Sequence, residues 1–348
     1  MADERAEVVW RMPDEAAQHH CTWMAFGPDE EIWDDLIDDV RRNLATIAQA
    51  ISKQEPVMML VRPDERKLAA KLCGDRVTLI DADLDDLWIR DTGPTFVVNK
   101  NGELGAVDLN FNGWGEKQEY DDDATVAELI AEYTRAAHLT TNLVGEGGGI
   151  EVDGEGTAIV TESCFVNDNR NPDLDRPKIE TELKKLLGLE KIIWLPGVRG
   201  KDITDGHTDF YARFARPGVV VAGLEMDRES FDFDVSREHL DILKGATDAR
   251  GQRLEVMTLE SPRRVREELR TEDFAAGYIN FYVVNNAVIA PQFGDKDADA
   301  KCKDTLARLF PQRKVIQLNI DAIAAGGGGI HCATQQQPRK PAKHLYGP

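Results

Sequence analysis

The sequence predicts an α/β fold made of five similar modules. Three observations support this: apolar strands alternate with amphipathic helices, the helices recur at a nearly constant spacing, and pairs of β-rich segments precede the later helices. Four helices are predicted to begin near residues 122, 178, 237 and 297, which are 56, 59 and 60 residues apart. Such spacing is typical of an array or propeller of modules. A single ordinary mixed α/β sheet is the alternative.

The first predicted elements are a helix over residues 28–52 and a strand over residues 57–61. Apolar residues of the helix, among them Val40, Leu44 and Ile47, recur at steps of three or four, the period of an amphipathic helix. Pro56 ends the helix, and five apolar residues follow it directly. A shorter helix over residues 63–72 and a strand over residues 77–80 come next.

The rest of the chain repeats the order strand, strand, helix, strand. Strands are predicted after the four helices, at residues 140–144, 191–195, 254–259 and 314–318. The paired β-rich segments before the last three helices are 158–162 with 164–166, 210–214 with 219–221, and 279–284 with 288–290. No linker rich in Pro, Gly or Ser interrupts this order. We therefore predict one domain that spans residues 1–348.

The composition argues against several classes of partner. The 348 residues include 42 Lys and Arg against 63 Asp and Glu, a formal net charge of −21. Nucleic acids and anionic membranes require a basic surface, whereas a cationic small molecule is compatible with this charge. Residues 1–20 lack the pattern of a secretory signal, and no apolar run approaches the length of a membrane span. Five scattered cysteines without a C-x-x-C pair indicate neither disulfides nor a zinc site, so a cytoplasmic protein without metal is expected.

Glycine-rich polar segments follow several predicted strands, at residues 85–94, 110–115, 145–149, 202–209 and 326–338. Loops on a rigid scaffold are common locations of functional sites. None of these segments has the spacing G-x-G-x-x-G or ends in Gly-Lys-Ser/Thr, so the nucleotide-binding motifs receive no support. The side chains within the segments are therefore the candidates for chemistry.

Cys332 follows four glycines and precedes a polar run that includes three glutamines. Polar surroundings suit a reactive thiol better than a packed one, and a thiolate nucleophile requires an acid/base partner. His207 is the best candidate partner. If residues 207–209 are extended, His207 and Asp209 face one pocket. His331 should point away from Cys332 and is interpreted as structural, while a surface turn at residues 205–209 and a buried structural cysteine are the alternatives.

Two further carboxylates lie in such segments. Asp91 follows Trp88 closely, and a carboxylate beside an aromatic wall suits a cation. Glu146 is the one charged residue within 145–149, and contact with His207 would raise the pKa of that histidine. Simple surface turns are the alternative for both. One thiol, one histidine and several carboxylates suggest covalent catalysis on a guanidinium, which two carboxylates can bind in a planar arrangement.

These motifs resemble those of the agmatine deiminases, a branch of the guanidino-group modifying superfamily close to the bacterial-type peptidylarginine deiminases. The resemblance extends from Thr22 to Pro338. It rests on segments 88–94, 205–207, 280–282, 291–295 and 327–338. It implies the pentein fold, a five-fold pseudosymmetric α/β propeller of ββαβ modules, which agrees with the repeat of about 60 residues.

The resemblance also implies roles for individual residues. Those expected in catalysis are Cys332 as nucleophile, His207 as general acid/base, Glu146 beside it, and Asp91 and Asp209 as ligands of the guanidinium. Trp88 and Trp114 are expected to line the substrate pocket together with the two aspartates. The sequence departs from the family pattern at Glu151, where many relatives carry a histidine, and at residues 26–28. Both departures leave the precise substrate open.

The implied reaction is hydrolysis of agmatine to N-carbamoylputrescine and ammonia through a thiouronium intermediate on Cys332, with neither a metal nor an organic cofactor. Deimination of free or peptidyl arginine is an alternative, and Arg170 and Arg199 are candidates to bind its α-carboxylate. An amidinotransferase or an inactive guanidine-binding protein are further alternatives. The expected partners are a cationic guanidino compound and further copies of the chain in a homo-oligomer.

Overall fold

The computed structural model describes residues 8–340, where 17 strands form five sheets. In chain order the strands are β1 (Trp10–Arg11), β2 (His19–Phe26), β3 (Val57–Val61), β4 (Val77–Asp81), β5 (Thr95–Asn99), β6 (Leu104–Asp108), β7 (Ala137–Thr140), β8 (Ile150–Val152), β9 (Thr157–Thr161), β10 (Lys191–Leu195), β11 (Ala212–Arg216), β12 (Val219–Leu224), β13 (Glu255–Glu260), β14 (Tyr282–Val284), β15 (Ala287–Pro291), β16 (Lys314–Leu318) and β17 (Gln335–Pro338).

Helices connect these strands. They are α1 (Glu30–Trp33), α2 (Ile37–Ile51), α3 (Arg66–Cys73), α4 (Ile89–Thr92), α5 (Gly113–Glu116), α6 (Val126–Thr134), α7 (Glu162–Phe165), α8 (Arg176–Leu187), α9 (Asp232–Gly245), α10 (Lys296–Leu309) and α11 (Asp321–Ala325). Single 3₁₀ turns occur at Asp34–Leu36, Asp123–Thr125, Gly147–Gly149 and Thr208–Phe210.

All five sheets contain an antiparallel pair of strands that continues into a parallel pair. In the third, fourth and fifth sheets the orders are β8-β9-β10, β11-β12-β13 and β14-β15-β16. The second sheet, β1-β5-β6-β7, has one added strand. The first sheet, β17-β2-β3-β4, joins the two ends of the described chain because β17 pairs with β2. Five sheets of similar topology agree with the five modules that the sequence predicts.

Apolar side chains on helices and strands fill the space between these layers. In α2, Val40, Leu44, Ile47 and Ile51 are all fully buried, as the helical period predicts. Each such side chain contributes about 1.5–3 kcal/mol by leaving water. In β9 and β15 every residue is buried, as expected for strands covered on both faces. The core thus holds the sheets and helices in fixed positions around the loops that connect them.

Most predicted elements overlap those of the structure, but several begin or end elsewhere. The helices predicted from 63 and from about 237 begin at Arg66 and Asp232, and the strand predicted from 279 begins at Tyr282. The strand predicted at 140–144 ends at Thr140. Leu143, whose apolar side chain contributed to the prediction, is buried in the loop beyond the strand. The strand predicted at 164–166 is the helical turn α7, in which Cys164 and Phe165 are fully buried. The strand predicted from Phe210 begins two residues later, after a 3₁₀ turn. A short apolar run indicates burial and does not distinguish a strand from a buried turn.

Within the described residues, no helix has both the length and the apolar character that crossing a membrane requires. Residues 1–7 and 341–348 lie outside the described part of the chain. Two predictions therefore extend beyond it: the lack of a secretory signal pattern in residues 1–20, and the single domain over residues 1–348.

Candidate active site

The predicted site residues converge on one cavity of about 1240 Å³. Those that line it are Trp88, Asp91, Trp114, His207 and Cys332. Glu146 and Asp209 are fully buried directly behind this wall. Glu146 contacts His207, and Asp209 lies beside Cys332. The structure therefore brings together all seven residues that the sequence predicts.

Each connection between successive sheets contributes to this site. The connection from β4 to β5 carries Trp88 and Asp91, that from β7 to β8 carries Glu146, that from β10 to β11 carries His207 and Asp209, that from β13 to β14 carries Asn280, and that from β16 to β17 carries Cys332. Trp114 comes from α5, within the second sheet. Residues distant in sequence meet because the five connections converge at one cavity.

Asp91 lies in the short helix α4 with both carboxylate oxygens engaged. Its Oδ1 accepts a hydrogen bond from the Gly148 backbone N–H at 3.0 Å, and its Oδ2 accepts one from the Trp114 indole N–H at 3.0 Å. Trp114 has a left-handed φ of 54°, which is uncommon for a bulky residue. Burial raises the pKa of Asp91, and the neighbouring Glu146 and Asp209 act in the same direction. Two neutral donors thus fix a carboxylate that faces a cation site.

His207 lies between two carboxylates. Its Nε2 is 3.2 Å from Glu146 Oε2, and its Nδ1 is 3.7 Å from Asp91 Oδ1. Burial alone would lower the pKa of His207, but Asp91 and Glu146 outweigh it, and the pKa is raised well above its ordinary value. This direction agrees with the sequence prediction. A protonated histidine at the cavity wall can donate a proton to a leaving group.

Arg170 explains why Glu146 stays ionised although it is fully buried. The Arg170 Nε donates to both oxygens of Glu146, at 2.8 and 3.1 Å. Burial would raise the pKa of Glu146, but Arg170 and His207 lower it to about 2. Arg170 also pairs with Asp205 at 2.9 Å. Arg170 thus lies behind the cavity, and Arg199, which donates to the Val166 carbonyl, does not line it either.

Gly148 allows the two sides of the cavity wall to approach each other. A Cβ atom at this position would lie 2.5 Å from His207 Nδ1 and 2.9 Å from Asp91 Oδ1. Any other residue would push the acid/base candidate away from the carboxylate. The glycines of 145–149 are therefore explained by close packing rather than by phosphate binding, with Gly148 against His207 and Asp91 and the others against Phe165 and Arg90.

The Cys332 thiol lies 3.6 Å from Asp209 Oδ2 and 3.3 Å from Asn280 Nδ2. Burial raises the pKa of the thiol well above its ordinary value, and the negative charges of Asp209 and Asp91 add to this. Asp209 Oδ1 accepts no hydrogen bond from any residue in 8–340. A buried, ionised oxygen without a donor is costly, so this atom marks a place for a cationic ligand.

One expectation about these residues needs correction, and His331 has partners that the sequence did not indicate. Residues 207–209 are not extended, because Thr208–Phe210 form a 3₁₀ turn that the Tyr211 N–H closes on the Thr208 carbonyl at 2.8 Å. His207 and Asp209 are nevertheless both buried at the site. His331 bonds Asp209 Oδ2 at 2.7 Å through Nδ1 and Glu15 Oε2 at 2.8 Å through Nε2. Its adjacency to Cys332 did not reveal this contact.

A buried ionic network continues behind His331. Arg213 lies 2.8 Å from Glu15 and 2.8 Å from Glu151. Glu151, the departure from the family pattern, therefore belongs to this network and does not line the cavity. His331 and Asp209 connect the network to the thiol. Sequence reasoning missed Glu15 and Arg213 because neither lies in a glycine-rich segment.

One group of donors among residues 8–340 is close enough to bind a metal ion. The donor atoms of Glu146, Cys164 and His207 all lie within 4.8 Å of one another. The Arg170 guanidinium already contacts both Glu146 oxygens, so a second cation would be repelled there. The absence of a metal from the chemistry therefore stays a prediction.

A sequence model of the family described as Porphyromonas-type peptidyl-arginine deiminase matches residues 11–338, nearly the whole chain. The chain belongs to this family. The match confirms the resemblance seen in the motifs, and it spans the residues from all five connections that meet at the cavity.

Similar proteins with other names support the same relationship. A Streptomyces coelicolor protein, provisionally named agmatine deiminase, is 42% identical in an alignment of 341 positions that covers 95% of this chain and all of that protein. The solved structure of the Enterococcus faecalis agmatine deiminase is 31% identical with a TM-score of 0.90, and covers 95% of this chain and 96% of its own. A C. jejuni agmatine deiminase with substrate bound is 26% identical with a TM-score of 0.84, covering 94% and 96%. The α/β fold is therefore that of the agmatine deiminase structures.

Proposed function

We propose that the protein hydrolyses the guanidino group of agmatine and releases N-carbamoylputrescine and ammonia. The observation that carries the proposal is the unpartnered Asp209 Oδ1 beside the Cys332 thiol, at a cavity that Asp91 and His207 also line. Two carboxylates that can bind a planar guanidinium beside a thiol place its central carbon within reach of the nucleophile. The names of similar proteins support the same substrate.

The proposed reaction begins when the substrate cation enters between Asp91 and Asp209. Burial raises the pKa of the Cys332 thiol, and the negative charges of Asp209 and Asp91 raise it further. A bound cation offsets these charges and therefore favours the thiolate. The thiolate forms a C–S bond to the guanidino carbon. Protonated His207 gives its proton to one nitrogen, the C–N bond breaks, and ammonia leaves.

A water molecule then attacks the resulting thiouronium carbon, and His207 accepts one proton from it. The C–S bond breaks and the carbon keeps the oxygen as a ureido carbonyl, while the remaining proton on that oxygen passes to the departing sulfur and restores the thiol. Glu146 keeps the orientation of His207 fixed throughout, because its carboxylate contacts Nε2 and is itself held by the Arg170 guanidinium. Proton transfer by such a histidine accounts for roughly 10²–10⁴ of the rate.

The charge around the cavity favours agmatine over arginine. Ten acidic side chains line the cavity, against four basic ones, Lys201, Arg263, Arg264 and Arg270. A primary ammonium at the far end of the substrate suits that excess, whereas an α-carboxylate would need a specific cation. Neither Arg170 nor Arg199 supplies one, because neither lines the cavity.

We also propose that the five sheets surround one axis as a five-fold pseudosymmetric propeller, in a single domain with the cavity at its centre. The shared topology of the sheets supports this, as does the pairing of β17 with β2, which returns the chain to its first sheet. So does the convergence of all five connections between sheets on the site.

The test is a ureido-product assay with agmatine, arginine and a blocked arginine peptide in parallel, with ammonia measured in the same samples. We expect product and equal ammonia from agmatine at a kcat/KM above that of the other two. No product from any of the three with folded protein would overturn the proposal. Transfer of the amidino group to an added amine, without ammonia, would establish an amidinotransferase instead.

Variants test the assigned roles in that assay. Cys332→Ala should abolish turnover and leave agmatine binding measurable by calorimetry, while Cys302→Ala, at a buried thiol outside the cavity lining, should turn over normally. Asp209→Asn and Asp91→Asn should weaken substrate capture and turnover. Turnover by Cys332→Ala would remove it from the role of nucleophile, and unchanged kinetics in either aspartate variant would remove that residue from the site.

A further inference from the structure

We propose that Asn280 is a catalytic residue whose side-chain N–H stabilises the Cys332 thiolate. This inference rests on the role of Cys332 as nucleophile in the proposed function. Asn280 lies in the motif 280–282, to which the sequence assigned no role. It comes from the connection between β13 and β14, the one connection of the five that supplied no predicted site residue.

The orientation of the Asn280 amide follows from its neighbours. One side-chain atom lies 2.9 Å from the His331 backbone nitrogen and 3.4 Å from the Cys332 backbone nitrogen. A backbone N–H can only donate, so this atom must be the carbonyl oxygen Oδ1. The amide nitrogen is then the atom 3.3 Å from Cys332 Sγ, and it can donate to the sulfur.

Asn280 is held rigidly in this position. It is buried, and its backbone carbonyl accepts a second hydrogen bond from the His331 N–H at 3.3 Å. A Cβ atom at Gly329 would clash with the Asn280 side chain, so the last glycine before Ile330 lets this amide pack against the cysteine segment. One side chain thus fixes the backbone of residues 331–332 and also points a donor at the sulfur.

The electrostatics of the thiol require such a donor. Asp209 and Asp91 both disfavour the thiolate, in addition to burial. Hydrogen bonds from the Gly329 backbone and from the Asn280 side chain lower the pKa of the thiol and oppose them. A cationic donor at this position would also neutralise the carboxylates that bind the substrate. A neutral amide stabilises the thiolate without competing with the guanidinium for Asp209.

The experiment measures how fast iodoacetamide alkylates Cys332 as a function of pH, with the modified cysteine located by mass spectrometry. Asn280→Asp keeps the shape and replaces the donor by an acceptor, and Asn280→Ala removes both. We expect the apparent pKa for alkylation to rise in both variants, with a tenfold to hundredfold slower reaction at fixed pH below that pKa. In the ureido assay kcat should fall by a similar factor, with a much smaller change in KM.

Two controls separate this effect from structural damage. Asn285→Asp changes the same residue type at a position that contacts His19, outside the cavity lining, and should leave the alkylation profile unchanged. Near-ultraviolet circular dichroism checks that each variant is folded. An alkylation profile like that of the wild type in either folded Asn280 variant would overturn the inference, and so would failure of both variants to fold, because the residue would then be structural.

The result is independent of the substrate assignment, since alkylation requires no agmatine. A shifted alkylation profile in a protein that does not process agmatine would uphold Asn280 and overturn the proposed substrate. Normal turnover of agmatine with an unshifted alkylation profile would uphold the proposed substrate and overturn the role of Asn280.

Discussion

His207 and His331 are both buried, and each lies between two carboxylates, yet their contacts differ. Both nitrogens of His331 make short contacts, 2.7 Å to Asp209 and 2.8 Å to Glu15. Ionised carboxylates only accept hydrogen bonds, so both nitrogens of His331 donate in these contacts. His207 has one such contact, at 3.2 Å to Glu146, while its Nδ1 is 3.7 Å from Asp91 and beyond hydrogen-bond distance.

This difference separates a histidine that can exchange a proton from one that holds a charge. The Nδ1 of His207 has no strong protein partner in the contacts described, and the residue lines the cavity, so a substrate can take the proton from it. His331 does not line the cavity and acts through Asp209, whose pKa it lowers although burial opposes this. A pair of carboxylates around a histidine therefore does not identify its role; the length of each contact does.

The largest effect is expected for His207→Gln. The amide preserves most of the volume and some hydrogen bonding but cannot transfer the proton, so kcat should fall roughly 10²- to 10⁴-fold. Steady-state kinetics with agmatine would measure it, with His138→Gln as a control, because His138 pairs with Asp108 away from the cavity. A kcat within threefold of the wild type would show that His207 is not the acid/base.

His331→Gln should act mainly on stability. It leaves Asp209 and Glu15 buried with one cation fewer, and removal of one partner from a buried ion pair typically costs about 3–5 kcal/mol. The free energy of unfolding in urea would show this loss. His138→Gln, at a partly exposed histidine–carboxylate pair, should cost less than about 1 kcal/mol. Equal losses in both variants would contradict the assignment of His331 as a buried fixed charge.

The carboxylate partner of His207 gives a pH-dependent effect of somewhat smaller size. The pKa of Glu146 is about 2 in the fold, below its ordinary value of 4.5. Its contribution to stability is therefore complete above pH 4.5 and is lost as the pH falls toward 2, a difference of about 3 kcal/mol. The raised pKa of His207 has the opposite sign, and its contribution is complete below pH 6.5 and lost as the pH rises through the folded value.

Urea unfolding of the wild type and Glu146→Gln between pH 7 and pH 2.5 measures the first of these contributions. We expect the gap between the two free energies to narrow as the pH falls below 4.5. A gap that does not change with pH would show that Glu146 is not ionised in the fold.

The sequence predicted the site better than it predicted the local backbone around it. Cys332, His207 and Glu146 were found because they lie in segments where glycines and polar residues follow predicted strands. The extended backbone assumed for residues 207–209 was wrong, yet the inference that His207 and Asp209 share a site held, because the 3₁₀ turn buries both.

What the sequence could not predict are distant partners that lie outside the glycine-rich segments. Glu15 contacts His331 across 316 positions, and Asn280 contacts Cys332 across 52. Such contacts depend on how the sheets are arranged, which a local pattern does not encode. Helices and strands with a clear hydrophobic period were predicted correctly because that period is visible within a few neighbouring residues. The strand predicted at 164–166 was wrong because a short apolar segment indicates burial, which occurs in helical turns as well as in strands.

The smallest effect is expected for Trp114→Phe, which compares the two carboxylates at the cavity. Asp209 is held by a charged imidazole, whereas Asp91 is held by neutral donors, the Trp114 indole and the Gly148 N–H. Phenylalanine preserves the edge-to-face packing on Phe111 but removes the indole donor. The Gly148 contact remains, so kcat/KM for agmatine should fall only about 5- to 10-fold. Trp194→Phe is the matched control, because it removes an indole donor to Glu180 outside the cavity lining and should leave kcat/KM unchanged. A loss as large as that of Asp91→Asn would mean that the indole itself, and not its hydrogen bond to Asp91, binds the substrate.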